Sequence, residues 1–112
     1  MFASTVKIDV ARIRDWESFH DEFSRVFQFP GYYGRNMDAW IDCMTFLDSP
    51  SDQMTGIHCA PGQVLTIDLG VVQDFKSNCP DQFSALLECT GFVNWRRMER
   101  GAPPVLALSF YS

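Results

Sequence analysis

Asp38 and Asp42 stand four residues apart, just after a turn that carries two adjacent tyrosines. They lie in the run Phe-Pro-Gly-Tyr-Tyr-Gly-Arg-Asn-Met-Asp-Ala-Trp-Ile-Asp-Cys-Met of residues 29–44. Pro30, Gly31 and Gly34 make the turn, and Asn36 has the short polar side chain that caps the free N–H groups of a helix starting there. At helical spacing Met37, Trp40, Ile41, Met44 and Leu47 form one apolar stripe, which Ala39, Cys43 and Phe46 widen. Only a narrow strip is left for water, and it holds Asp38, Asp42 and Thr45. Aspartate has poor helix propensity, and two of them at this spacing repel by about 0.2–0.5 kcal/mol. Carboxylates held on a rigid helix make strong charge-assisted hydrogen bonds to cations. The strip therefore reads as a docking face for something positively charged. A solvated helix face is the plainer account of Asp42, and Asp38, in the first turn, also satisfies the helix dipole.

Two other groupings have the residue types for chemistry. Cys59 could act as a nucleophile with His58 as base and Asp68 as orienting acid, which would make the chain a cysteine-dependent hydrolase. Adjacent side chains of an extended segment point apart, however, and no oxyanion motif is visible. Trp95-Arg96-Arg97 with Arg100 could touch nucleic acid, but a basic helix end is more simply a response to the helix dipole. The four cysteines, Cys43, Cys59, Cys79 and Cys89, show neither a CxxC pair nor zinc-finger spacing. Reduced, mostly buried thiols are expected, with no metal and no cofactor.

These residues need a scaffold, and the chain supplies one. Val6-Lys7-Ile8-Asp9-Val10 alternates as a strand does. Asp15 caps a helix on which Trp16, Phe19, Phe23, Val26 and Phe27 recur. The acidic-strip helix follows the Pro30–Gly34 turn and runs to about Leu47. Residues 48–63, rich in Pro, Gly, Ser and Asp, read as a loop. Val64–Leu69 is a nearly continuous apolar strand, as one covered on both faces would be. A helical turn includes Val72 and Phe75. Pro80 opens the last helix, whose apolar side is drawn from Phe83, Leu86, Leu87, Trp95 and Met98. Gly91 marks a place for a bend. Val105–Phe110 is the third strand. Strands separated by helices predict an α/β fold, a three-stranded parallel sheet covered by helices.

One domain spanning residues 1–112 is the natural division of a chain that is 46% hydrophobic. No apolar run approaches the ~20 residues that span a bilayer, and the N-terminal stretch lacks a signal-peptide core, so a cytoplasmic protein is expected. The formal net charge of −5 and pI of about 4.7 argue against nucleic acid as the ligand and favour a basic partner.

The run Pro30, Tyr32-Tyr33-Gly34, Asn36, Asp38-Ala39 and Asp42-Cys43 resembles the signature of the barstar family, small intracellular proteins that plug the active site of a secreted ribonuclease. The order of strands and helices extends the likeness over the chain. The resemblance implies a barstar-like sheet and helices, no catalysis, and the role of an immunity protein. This would be a free monomer that forms a 1:1 complex with a basic ribonuclease toxin. It implies that Tyr32, Gly34, Asn36, Asp38, Ile41, Asp42 and Thr45 form the partner face, with Asp42 at the family's central aspartate and Tyr32 at an interface tyrosine. Such carboxylates would imitate phosphate in a pocket of Arg, Lys and His. A barstar-fold module for a different toxin or another basic protein is the nearest alternative.

The sequence departs from the family pattern in three places. Ile41, not tryptophan, precedes the second aspartate, and Trp40 falls on the core side. Arg35 replaces a usual acid, free either to pair with Asp38 or to repel a basic partner. Counting back from Gly101, Arg96 takes the place of a further interface acid, and neither Glu88 nor Glu99 matches cleanly. The 48–63 loop is longer than the family's compact form, with Asp48 and Asp52 as candidates for added contacts.

Overall fold

The computed structural model describes residues 2–112. Three parallel strands, β1 (Thr5–Lys7), β2 (Leu65–Val71) and β3 (Leu106–Tyr111), lie in the order β1-β2-β3. Helices α1 (Trp16–Phe27) and α2 (Met37–Thr45) connect the first two strands, and α3 (Gln73–Asn78) and α4 (Pro80–Glu99) connect the last two. This is the expected α/β architecture. Among the described residues no helix is long and apolar enough to cross a membrane.

The central strand is asymmetric. Leu65, Ile67 and Leu69 are sealed in the core, while Thr66, Asp68 and Gly70 on the other face are only partly covered. Its apolar continuity therefore overstated its burial. The strand also runs two residues past Leu69, through a bulge at Gly70. There a φ of 67° suits glycine, and the Gly70 N–H donates to Asp68 Oδ1 at 2.9 Å. β1 is shorter than its alternation implied. Asp9 accepts from the Ala11 N–H and turns the chain into a 3-10 turn, Val10–Arg12, so the strand ends at Lys7.

Asp15 caps α1 as anticipated: its Oδ1 accepts from the Ser18 N–H at 2.8 Å and the Ser18 hydroxyl accepts from the Asp15 N–H at 3.1 Å. Phe19, Phe23 and Phe27 go into the core, but Trp16, at the solvent end of the stripe, stays 40% exposed. α4 passes Gly91 as one uninterrupted helix. Its inward stripe is Phe83, Leu86, Thr90, Val93 and Arg97; Trp95 and Met98, read as apolar-side residues, lie outside with Phe92. The helix offers two apolar stripes, and only packing decides between them.

α2 is fixed from two sides. Trp40 is fully buried and meets Phe23 of α1 nearly edge-on, with ring centroids 5.7 Å apart. Met44 and Leu47 are buried beneath it. The start of α2 is set by Asn36, whose Oδ1 accepts from the Ala39 N–H at 2.8 Å. The helix ends at Thr45, two residues earlier than its spacing suggested. Replacing Asn36 by Ala should cost about 1 kcal/mol. The denaturation midpoint should fall at unchanged m-value, and Asn36→Ser should restore most of it. An unchanged midpoint in Asn36→Ala would show that the cap contributes nothing.

Candidate partner-binding face

The turn before α2 closes when the Tyr33 N–H donates to the Pro30 carbonyl at 2.9 Å. Tyr33 points inward: its ring packs on Phe29, with centroids 4.5 Å apart, and its hydroxyl shares a 2.7 Å hydrogen bond with His20 Nδ1. Burial, the main cause, raises the Tyr33 phenol well above its ordinary pKa. With Tyr33 committed to the interior, Tyr32 stands outside, 73% exposed, its hydroxyl reaching only Met54 Sδ at 3.5 Å.

Arg35 does not pair with Asp38. Its guanidinium donates to Asp21 Oδ1 at 2.7 Å and to the Glu17 carbonyl at 3.0 Å, tying the turn to α1. The residue sits at φ 55°, a left-handed conformation that costs a non-glycine residue about 1–2 kcal/mol. The ties to α1 help offset that strain.

On α2, Asp38 and Asp42 are exposed and Ile41 is half-buried. Gly34 and Asn36 are exposed at the turn that leads into them. Thr45 departs from the expected water-facing strip, since it is buried under α4. Its hydroxyl donates back to the Ile41 carbonyl at 2.6 Å and accepts from Arg96 Nη2 at 2.5 Å. The same Nη2 lies 3.4 Å from Asp42 Oδ1. Cys43, behind the strip, is buried, and burial followed by the Asp42 charge raises its thiol to about 11. Asp38 also acts on α4, where burial, then Glu88, then Asp38 raise the Cys89 thiol. The acidic strip thus runs along the flank of α4.

The arginines of α4 do not act as one solvated helix-end cluster. Arg97 instead is buried and grips Asp48 through both carboxylate oxygens, at 3.0 and 2.7 Å, and the Thr45 carbonyl at 2.7 Å. Asp48 is thereby committed inside the fold rather than offered to a partner. Asp52 accepts a hydrogen bond from the Ser49 hydroxyl in the same loop. The one sequence signal for Arg96 was its register from Gly101; nothing local signalled Arg97.

The Cys59, His58 and Asp68 grouping does not assemble. Cys59 is fully buried with its Sγ directed to the Gln63 carbonyl, His58 Nδ1 faces the Thr55 hydroxyl at 3.3 Å, and Asp68 is engaged by the Gly70 N–H. Burial also raises the Cys59 thiol, the reverse of what a nucleophile needs. All four cysteines are free, with Cys43, Cys59 and Cys79 buried and Cys89 half-buried.

An exposed tyrosine thus stands beside a capped helix with two exposed carboxylates, on an α/β scaffold of three parallel strands. Residues 3–108 match the family model described as Barstar (barnase inhibitor), and the chain belongs to the barstar family. A protein of Bacillus subtilis (strain 168) named "Putative ribonuclease inhibitor YrdF" is 30% identical to it over 86 residues. The alignment covers 72% of this chain and 94% of the relative.

The turn has its own pH dependence. Burial, with Arg35 adding and Asp21 opposing, lowers the pKa of His20 below its ordinary 6.5. In the unfolded chain the imidazole takes a proton more readily, so this contribution is complete above pH ~6.5 and is lost as pH falls below it. The melting temperature should drop between pH 7.5 and pH 5.5 by less in His20→Gln than in wild type. Equal drops in the two proteins would remove His20 as the cause.

Proposed function

We propose that the chain is a single-domain, monomeric inhibitor of a ribonuclease toxin, acting as an immunity protein in the cytoplasm of the cell that makes or receives the toxin. It binds 1:1 and catalyses nothing. Tyr32, Gly34, Asn36, Asp38, Ile41 and Asp42 form the contact face, with Thr45 as its floor. A ribonuclease pocket concentrates cations to stabilise a charged phosphoryl transition state. Asp42 enters that pocket in place of phosphate, with Asp38 beside it and Tyr32 as a stiff aromatic anchor at the rim.

The observation that carries this reading is the state of Asp42. Its side chain is 56% exposed on a helix pinned by Trp40 and capped by Asn36, in a chain of the barstar family. Its sole ion-pair partner among the described residues is Arg96, at a long 3.4 Å. That cation beside the central aspartate is also what favours the second reading, a basic partner other than a ribonuclease.

Inhibition of a panel of small basic bacterial ribonucleases tests both. Wild type should silence at least one member. Asp42→Ala should raise that inhibition constant at least about thirtyfold, the loss of a hot-spot contact of roughly 2 kcal/mol or more, with the melting temperature nearly unchanged. An inhibition constant indifferent to Asp42→Ala would remove the face. A panel untouched by wild type would leave the non-ribonuclease partner.

A further inference from the structure

Beside the acidic strip, between the C-terminal ends of α2 and α4, lies a shallow basic hollow lined by Thr45, Phe46, Arg96, Arg97, Arg100 and Ala102. Its three arginines differ in how far they are satisfied. Arg97 spends its donors on Asp48, the Thr45 carbonyl and the Pro103 carbonyl. Arg100 is exposed and makes no ion pair among the described residues. Arg96 is half-way: its Nη2 bonds the Thr45 hydroxyl and lies 3.4 Å from Asp42, while its Nε–H is buried with no acceptor. The guanidinium carbon lies 5.9 Å from the centre of the Phe92 ring. Phe92 packs against Trp95 with centroids 5.8 Å apart, and both are exposed.

We propose that Arg96 sets the partner specificity of this face, selecting a ribonuclease whose basic pocket carries a carboxylate at its rim. The inference rests on the ribonuclease reading above and narrows it. A purely cationic pocket that closes on Asp42 brings like charge within a few ångströms of Arg96. Guanidinium cannot lose its proton to relieve this, and a charge desolvated without a partner is costly. Retreat has a cost as well, since it would break the bond to Thr45 and the contact with Phe92. A carboxylate from the partner removes the conflict. It can take the place at Arg96 Nη2 that Asp42 leaves when it turns into the pocket. The aromatic pair Phe92 and Trp95 beside it excludes water from the new ion pair and adds the kind of anchor that interfaces favour.

The test is inhibition by wild type, Asp42→Ala, Arg96→Gln and Arg96→Glu, measured on bacterial ribonucleases of known structure with and without an Asp or Glu at the pocket rim. Gln keeps a donor for Thr45, and a thermal melt of each variant establishes that it is folded. Wild type should favour the ribonucleases with a rim acid. Arg96→Gln should lose at least tenfold against those, and the loss should vanish when the rim acid itself is replaced by Ala. Arg96→Glu should shift preference to the members without one. If Asp42→Ala abolishes inhibition while Arg96→Gln inhibits as well as wild type or better, the specificity role is overturned and the ribonuclease reading stands. If wild type inhibits no member, the ribonuclease reading fails and takes the inference with it.

Discussion

Arg97 ties the carrier helix of the site to the rest of the molecule. Buried at the inner stripe of α4, it donates to both oxygens of Asp48, to the carbonyl of Thr45 and to that of Pro103. One side chain thus joins the last turn of α2, the loop after it and the segment leading into β3. The Thr45 carbonyl is among those a helix end leaves without an internal partner, so Arg97 supplies a C-terminal cap from a different element. Paired, bidentate and largely desolvated, the interaction is of the strong kind. Its removal would strand Asp48, 20% exposed, and unseat α2 from α4 together.

That constraint matters because α2 has little stability of its own. Nine residues are too few for an isolated helix to persist in water. Its direction is dictated by Trp40 against Phe23, by Asn36 at one end and by Arg97 at the other. The turn ahead of it is held in the same way, with Tyr33 locked to His20 and Arg35 locked to Asp21. The exposed groups, Tyr32, Asp38 and Asp42, therefore ride on backbone whose conformation is already fixed. Little ordering remains to be done when a partner arrives, and ordering is a main cost of association.

What was legible in the sequence follows from how local its causes are. A cap acts over three residues, so Asn36 and Asp15 could be read directly. The burial of Trp40 followed from the apolar stripe. The misreadings at the site and along α4 involve contacts between distant segments. Thr45 lies on the polar arc of α2, and only α4, about fifty residues further on, covers it. Arg97 carries the residue type most often assigned to solvent, and its burial depends on an aspartate that looked like loop decoration. On α4, Phe92, Trp95 and Met98 compete on paper with Phe83, Leu86 and Val93, and which stripe faces inward is settled by the sheet and α2. Arg35 was ambiguous for the same reason, since its acid proved to be on α1.

The remaining question is whether a cation next to Asp42 defeats the use of that aspartate, and magnitudes answer it. The Arg96–Asp42 contact is long, and the aspartate side chain is 56% exposed, so water screens it and its worth is at most about 1 kcal/mol. The Thr45 hydroxyl holds Arg96 more closely than Asp42 does, at 2.5 against 3.4 Å. Close charge pairs in the barnase–barstar interface, a complex of this chain's own family, couple by roughly 1.5–7 kcal/mol. In the proposed complex, a pocket of cations that pairs closely with the carboxylate therefore displaces the Arg96 contact at little cost. In that proposed complex Arg96 is the harder problem, because its contacts with Thr45 and Phe92 do not depend on Asp42. An adjacent basic pocket must then answer two opposite charges a few ångströms apart. Such mixed-sign surfaces exclude wrong partners through repulsion more than they tighten the right one.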